Sequence, residues 1–481
     1  MNDNAMKKYT ILAKKLKKLQ NEKDPNATDI FPGALGGEIV RYIAPQGNPF
    51  LLQNHMFIPT IKSQGTPEQI QKWVPKAESY EIIGTYAQTE LGHGTFLRGL
   101  ETRADFDRKT DEFILHSPTI TAYKWWPGGL GHTSNYAVVA AQLYIDDKPY
   151  GIQMFVVQLR DLETHMPLPG LKIGEIGNKM AFQTVNNGYL GFENFRIPRT
   201  NMLMKNAQLH RDGTFVKSPA SVLTYFTMVN VRVSIVMHSY MSLARAATIA
   251  IRYSAVRRQS KINPKEPEHQ IIDHLTQQMK LFPEIAKALA LRLNADCLTS
   301  MLKAVQAEIL KGDLSRLAEM HALASCLKTV SSHDAVAGVE TLRLACGGHG
   351  YMLASGLPIV YNFAAASKTY EGENTVMLLQ TARFLMKAWA LALKGGELVP
   401  TVMYLNEAIK VKKFQKWDGS WECMVKSLQF VAANKIRIAF DHLEARKRNN
   451  MIFEEASNLT SIELASAAEV SSILDQNFVC F

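Results

Sequence analysis

The rhythm of apolar and polar positions changes twice along the chain. Up to about residue 84, apolar residues recur at helical spacing, with turns expected at "DPNATD" and "QGTPEQ". Beyond that the apolar runs shorten. "EFILHSPTITAYKWW", "NYAVVAAQLYI", "YGIQMFVVQL" and "NGYLGFENFRI" are rich in β-branched and aromatic residues, and clusters of Gly, Pro and Asp separate them. This pattern predicts a β domain of about six to eight short strands. From about residue 221 long helical patterns return, with breaks near "NPKEPEH", "KGDL" and "CGGHGYMLASGLP". Helices that are apolar on several faces predict a bundle. The expected architecture is therefore α+β. A helical domain spans 1–84, a β barrel or sandwich spans 85–205, a helical bundle spans 220–395, and a further, truncated helical region spans 396–481.

Composition narrows this picture only a little. With 47% hydrophobic residues in 481, a large core is available. No apolar run approaches the roughly 20 residues of a membrane span. The chain carries 54 Lys and Arg against 44 Asp and Glu, a net charge of +10. That favours anionic partners, whether nucleic acid or a diphosphate metabolite, and a solvated lysine surface accounts for most of it. No zinc finger, RNA-binding aromatic signature or arginine tract argues for nucleic acid. Five scattered cysteines without a CxxC pair suit a reducing compartment. The lysine-rich N-terminus lacks an apolar signal core and reads as a basic amphipathic surface helix.

The common chemical signatures are missing. There is no phosphate loop, no GxGxxG after a strand, no HExxH or clustered metal-ligand set, and no GxSxG elbow. Three segments remain. "TYAQTELGHGT" (85–95) offers hydroxyls and amides to a polar ring, or is an ordinary turn entering the β domain. "YKWWPGGLGHTSN" (123–135) could set Trp125 and Trp126 around a planar ring, with Gly128 and Gly129 against it, or hold a core tryptophan beside a glycine turn. "CGGHGY" allows close backbone approach to a ligand, or simply ends a helix.

Two further features carry charge. Along a helix over 230–258, His238, Arg245 and Arg252 form a solvent stripe. Arg232 and Arg257 lie off it, on one face within about 20° and roughly 37 Å apart. They could serve two anionic ligands, or form buried ion pairs. In "TYEGENTVMLLQTARFLM", a mostly buried helix over 375–394 is expected, with Asn374 as N-cap and Gln380, Arg383, Lys387 and Lys394 as its polar stripe. Glu371 and Glu373 are each stabilised by the helix dipole. Either could instead be a base at the mouth of a buried cleft.

"GTYAQTELGHGTFLRGLETRADFD", "KWWPGGLGHTSNYAVVAAQL", "NGYLGFENFRIPRTNML", "ACGGHGY" and "KTYEGENTVMLLQTARFLMK" together resemble the peroxisomal acyl-CoA oxidases, relatives of the acyl-CoA dehydrogenase-like flavoproteins. The resemblance covers roughly residues 40–415, and the shorter length suggests a divergent member. The resemblance implies that FAD binds between the β domain and the bundle. Thr89 and Gly128 match FAD-contacting positions. Arg257 matches an arginine that reaches the FAD diphosphate across a homodimer interface, and Arg232 one used for the CoA portion.

The residue that follows the aromatic in the family's aromatic-Glu-Gly motif is Glu371. The resemblance makes it the base that removes the α proton of a fatty acyl-CoA. A flavin hydroxyl and the base's own N–H polarise the thioester. The β hydrogen leaves as hydride to the flavin, giving a trans-2-enoyl-CoA, and molecular oxygen is reduced to hydrogen peroxide. A non-catalytic scaffold, a dehydrogenase using another electron acceptor, and a nucleic-acid binder are the alternatives. The chain departs from the family at His274–Leu275, where Phe-Gln is usual, and its last residues are "NFVCF" and not Ser-Lys-Leu. A peroxisomal location is expected from the family.

Overall fold

A computed structural model of the chain describes residues 2–21, 47–216, 226–411 and 416–478. The expected turn at "DPNATD" and Cys480 lie outside the described residues. The chain divides into two compact units, 1–227 and 228–481. The first contains the expected N-terminal helices and β domain, and the second contains both expected helical regions.

In the first unit, helix α1 (Asn2–Asn21) buries Tyr9 and exposes Lys7, Lys8, Lys14 and Lys15, as a basic amphipathic helix should. Helices α2 (Ile58–Gln64) and α3 (Pro67–Glu78) meet at the "QGTPEQ" turn. There Thr66 and Gln69 form a reciprocal capping box, each side chain bonded to the other's backbone.

Among the described residues eleven strands follow: β1 (Gly84–Ala87), β2 (Arg103–Asp107), β3 (Glu112–His116), β4 (Lys124–Trp125), β5 (Tyr136–Ile145), β6 (Lys148–Gln158), β7 (Leu171–Glu175), β8 (Gly188–Phe192), β9 (Phe195–Pro198), β10 (Gln208–Leu209) and β11 (Phe215–Val216). They exceed the expected count because "EFILHSPTITAYKWW" breaks into β3 and β4 and because β10 and β11 form a short ribbon. The six-stranded sheet runs β1-β5-β2-β3-β9, with β6 on the other edge of β5; a second sheet runs β4-β8-β7.

Strand β5 explains why its sequence reads as a nearly continuous apolar run. Ala137, Val139, Ala141 and Leu143 enter the core between the sheets. Val138 and Ala140 point the other way, against Phe57, Ile61, Trp73, Val74 and Ala77 of the N-terminal helices and the segment before them. Both faces are covered, so alternation of apolar and polar residues is lost.

The second unit is helical: α4 (Phe226–Val256), α5 (Leu275–Leu310), α6 (Leu317–Ala345), α7 (Leu357–Ala366), α8 (Asn374–Leu393), α9 (Leu405–Ala408), α10 (Trp421–Arg448), α11 (Phe453–Leu459) and α12 (Ser461–Phe478). Its breaks fall in the expected segments. Helix α6 is buried along most of its length, on several faces. One cluster joins α4, α5, α6 and α7 through Leu243, Leu281, Leu291, Leu342 and Leu357. Another joins α8, α10 and α12 through Leu385, Trp389, Ile436, Leu443 and Leu464. By length and composition α8 is apolar enough to cross a membrane. Its packing into this second cluster accounts for that composition, and Arg383, Lys387 and Lys394 lie on its exposed side.

Candidate active site

The α8 start is built differently from the sequence expectation. Glu373 is the N-cap: its carboxylate accepts from Thr375 N at 2.9 Å and Val376 N at 3.4 Å. This satisfies two orphan donors at the positive end of the helix. Asn374, expected as the cap, is the first helical residue and turns inward. Its Nδ2 donates to Ser332 Oγ at 3.0 Å and Thr329 O at 3.3 Å, both on α6. The cap moves back one residue because α6 supplies Asn374 with better-buried partners.

Just before the cap the backbone enters the left-handed region twice, at Glu371 (φ 57°) and Gly372 (φ 99°). The φ of Gly372 is one that side-chain-bearing residues rarely adopt, so glycine is favoured there, and a Cβ would also displace the end of the Met377 side chain. A side-chain-bearing residue held left-handed is strained and must be fixed by its surroundings. Two buried cations supply that fixing. Arg232 Nε donates to Glu371 O at 3.1 Å, and its Nη1 lies 3.4 Å from Ser325 Oγ. Lys328 Nζ donates to Gly372 O at 2.7 Å and to Asn374 Oδ1 at 2.8 Å. Lys328 has no exposed surface.

Both cations hold carbonyls. Among the described residues, none donates a hydrogen bond to the Glu371 carboxylate. Burial raises its proton affinity above the ordinary value, and the Arg232 and Lys328 charges oppose that rise. Burial, then Arg232, pushes Lys328 down to about 8. Burial and the Arg232 charge push His321, also on α6, down to about 4, so it is neutral near pH 7. The arrangement can accept a proton on Glu371 and hold the resulting acid or its conjugate base in one place.

Sequence reasoning singled out Glu371 and Arg232 but passed over Lys328, His321 and Ser325. A signal was present. Lys328 sits in "ALASCLKTVSS" with Ala324, Ser325, Ser331 and Ser332 at helical spacing and no acidic partner. Arg232 is buried against Glu371 and Ser325, while Arg257 is exposed just past the end of α4. The helix stops at Val256, so the two arginines do not share one helical face as expected. Arg257 Nη2 donates to Gln259 Oε1 at 3.3 Å, and no carboxylate pairs with it among the described residues.

In the first unit, Thr89 and Gly128 lie on neighbouring segments. Trp125 N donates to Thr89 O at 2.8 Å, and Thr85 Oγ1 to Gly128 O at 2.7 Å. A Cβ on Gly128 would come 2.6 Å from Val185, which excludes larger residues there. The Thr89 hydroxyl has no partner among the described residues. Trp125 stacks on Tyr189 (5.6 Å, 16°), so it is part of the fold, whereas Trp126 is exposed. Beneath these segments Lys124 Nζ lies 2.8 Å from Glu90 Oε1, both side chains fully buried. Sequence reasoning did not single out this pair.

Residues 2–83 match the acyl-coenzyme A oxidase N-terminal family and 225–386 the acyl-CoA oxidase C-alpha1 domain. The chain is 53% identical to acyl-coenzyme A oxidase 1 of Drosophila melanogaster over 468 residues, covering 97% of this chain and 70% of the relative. It is 46% identical to human peroxisomal acyl-coenzyme A oxidase 1 over 474 residues, covering 97% and 71%. Among solved structures, Caenorhabditis elegans acyl-CoA oxidase-2 bound with FAD, ascaroside-CoA and ATP aligns with a TM-score of 0.90 at 40% identity, covering 99% of this chain and 71% of that one. The chain belongs to the acyl-CoA oxidase family of flavin-dependent oxidoreductases. It spans about 70% of the length of these relatives.

Proposed function

We propose that this protein oxidises fatty acyl-CoA to trans-2-enoyl-CoA with FAD as cofactor and oxygen as final acceptor, and that Glu371 is the base. The observation that carries this reading is the Glu371 carboxylate. It has no hydrogen-bond donor among the described residues, it is raised in proton affinity, and the carbonyls of its turn are held, Glu371 O by Arg232 and Gly372 O by Lys328. A carboxylate kept free of donors is available to a substrate proton, and its raised affinity improves the match to an α proton. The nearby cations limit the cost of keeping it ionised.

The residues fit FAD. In the first unit Thr89, whose hydroxyl has no partner among the described residues, and the close-packed Gly128 offer a polar edge and a tight backbone approach; in the second, Arg257 has no carboxylate partner among the described residues and, as the resemblance implies, would reach the FAD diphosphate of the other protomer. When bound, FAD supplies the hydride acceptor and the route of electrons to oxygen. For Arg232 we favour service to Glu371 over the CoA portion, because its guanidinium is buried and bonded beside the base.

A homodimer is part of this proposal. On α5, Leu275, Met279, Phe282, Leu289 and Leu293 recur along one face and are all at least half exposed. Such a stripe is suited to a second copy. His274, the N-cap of α5, donates from Nε2 to Gln259 O at 3.0 Å, so the departure from Phe-Gln keeps this corner tied. A monomeric mass in light scattering would overturn the dimer. We also propose a peroxisomal location, as in relatives so named; absence from catalase-containing fractions would refute it.

The deciding experiment is the absorption spectrum of the purified protein. A flavin spectrum that bleaches on anaerobic addition of a fatty acyl-CoA is expected, with peroxide released on admitting oxygen. Glu371→Gln should keep the flavin and lose about 10²–10⁴ in turnover. Undiminished turnover in that variant removes Glu371 from the mechanism.

A further inference from the structure

We propose that Lys328 is a positioning residue for the base: by gripping Gly372 O and Asn374 Oδ1 it sets where the Glu371 carboxylate stands. The inference deepens the acyl-CoA oxidation reading and rests on Glu371 being the base. Three observations converge on it. The base lies on two consecutive left-handed residues, a conformation that persists only where neighbours over-determine it. The carbonyls of both residues are taken by buried cations from two different helices, Arg232 from α4 and Lys328 from α6. Of the two cations it is Lys328 that also reaches Asn374, the first residue of α8, which Thr329 and Ser332 of α6 bond as well, so it ties the turn to the helix that follows.

A fully buried ammonium is costly, and α6 provides no carboxylate at helical spacing to neutralise it. Ordinary helix packing does not need a cation there. Its ligands are the turn and the helix start, and the charges facing it are Arg232 from α4 and Glu371 and Glu373 from the turn, with His321 neutral on its own helix. Lys328 therefore does two separable things. Its hydrogen bonds place the turn, and its charge favours the ionised form of Glu371.

Two variants separate these effects in the FAD-loaded protein. Lys328→Met removes both. Turnover should fall roughly 10²-fold, as for a base misplaced by about 1 Å, with KM little changed and flavin content retained. The acid limb of the kcat/KM profile should move to higher pH, because a cation that favoured ionised Glu371 is gone. Lys328→Gln keeps a donor without charge. It should recover part of the turnover while the acid limb stays displaced. If Lys328→Met does not fold, Lys328→Gln decides by the acid limb. Wild-type turnover and an unmoved acid limb in a folded variant overturn the proposal and leave the base assignment standing. Full turnover in Glu371→Gln overturns both.

Discussion

Each unit of this protein buries a lysine completely, and the two lysines are used in opposite ways. In the β unit, Lys124 pairs directly with Glu90, whose carboxylate also accepts from Glu101 N at 2.7 Å, Thr102 N at 2.9 Å and Thr102 Oγ1 at 2.6 Å. Burial alone would raise the proton affinity of Glu90, but the Lys124 charge and these bonds outweigh it and hold it below the usual value. In the helical unit, Lys328 bonds to a carbonyl and an amide oxygen, and among the described residues no donor reaches the neighbouring Glu371 carboxylate, so burial prevails and its affinity is raised. Burial brings both ammonium groups to about 8. The difference lies in what each carboxylate is given. A satisfied carboxylate is a fastener, and one held by its backbone alone is free to react.

The largest expected effect that tests this contrast is on stability. Lys124→Met leaves Glu90 buried and charged without its partner, a loss of about 3–5 kcal/mol. The urea midpoint of the first unit should fall accordingly, and flavin retention with it, since the pair underlies the Thr89 and Gly128 segments. An unchanged midpoint would mean that the pair is not the fastener described.

The pH dependence of stability should separate the two glutamates by sign. Glu90, depressed in the folded state, contributes stability above the ordinary carboxylate range that is lost as pH falls through its folded value. Glu371, raised in the folded state, contributes stability in acid that is lost as pH rises through its folded value. Glu90→Gln should therefore flatten the loss of stability in acid. Glu371→Gln should be as stable as wild type or more so at neutral pH, by less than the Lys124→Met effect. Urea midpoints measured near pH 4 and pH 7 read both, and like signs would dissolve the distinction.

The smallest effect sharpens the roles within the site itself. Glu373→Ala removes the α8 cap and should cost about 1 kcal/mol. Turnover should change far less than in Glu371→Gln. Comparable losses of turnover in the two variants would mean that the cap and the base are not separate roles.

Much of the architecture was legible from pattern alone. Helical and strand periods differ, and the chain shifts between them near 84 and again after 216, so the α, β, α order is a local property of the sequence. The motif around Glu371 was legible by resemblance, because a left-handed Glu-Gly turn before an apolar helix is written in consecutive residues. The tertiary structure alone decided which residues serve that turn. Lys328 lies 44 positions from Gly372, and Lys124 lies 34 from Glu90. In neither case do the residues beside the lysine in sequence name its partner. Asn374 gave up the cap to Glu373 for the same reason: α6 competes for its side chain, and no local rule contains α6. Local periodicity governs where the chain becomes helix or strand, because it acts over a turn or a pleat. The proton affinity of a carboxylate depends on every charge and donor that folding brings within a few ångströms, and those arrive from distant parts of the chain.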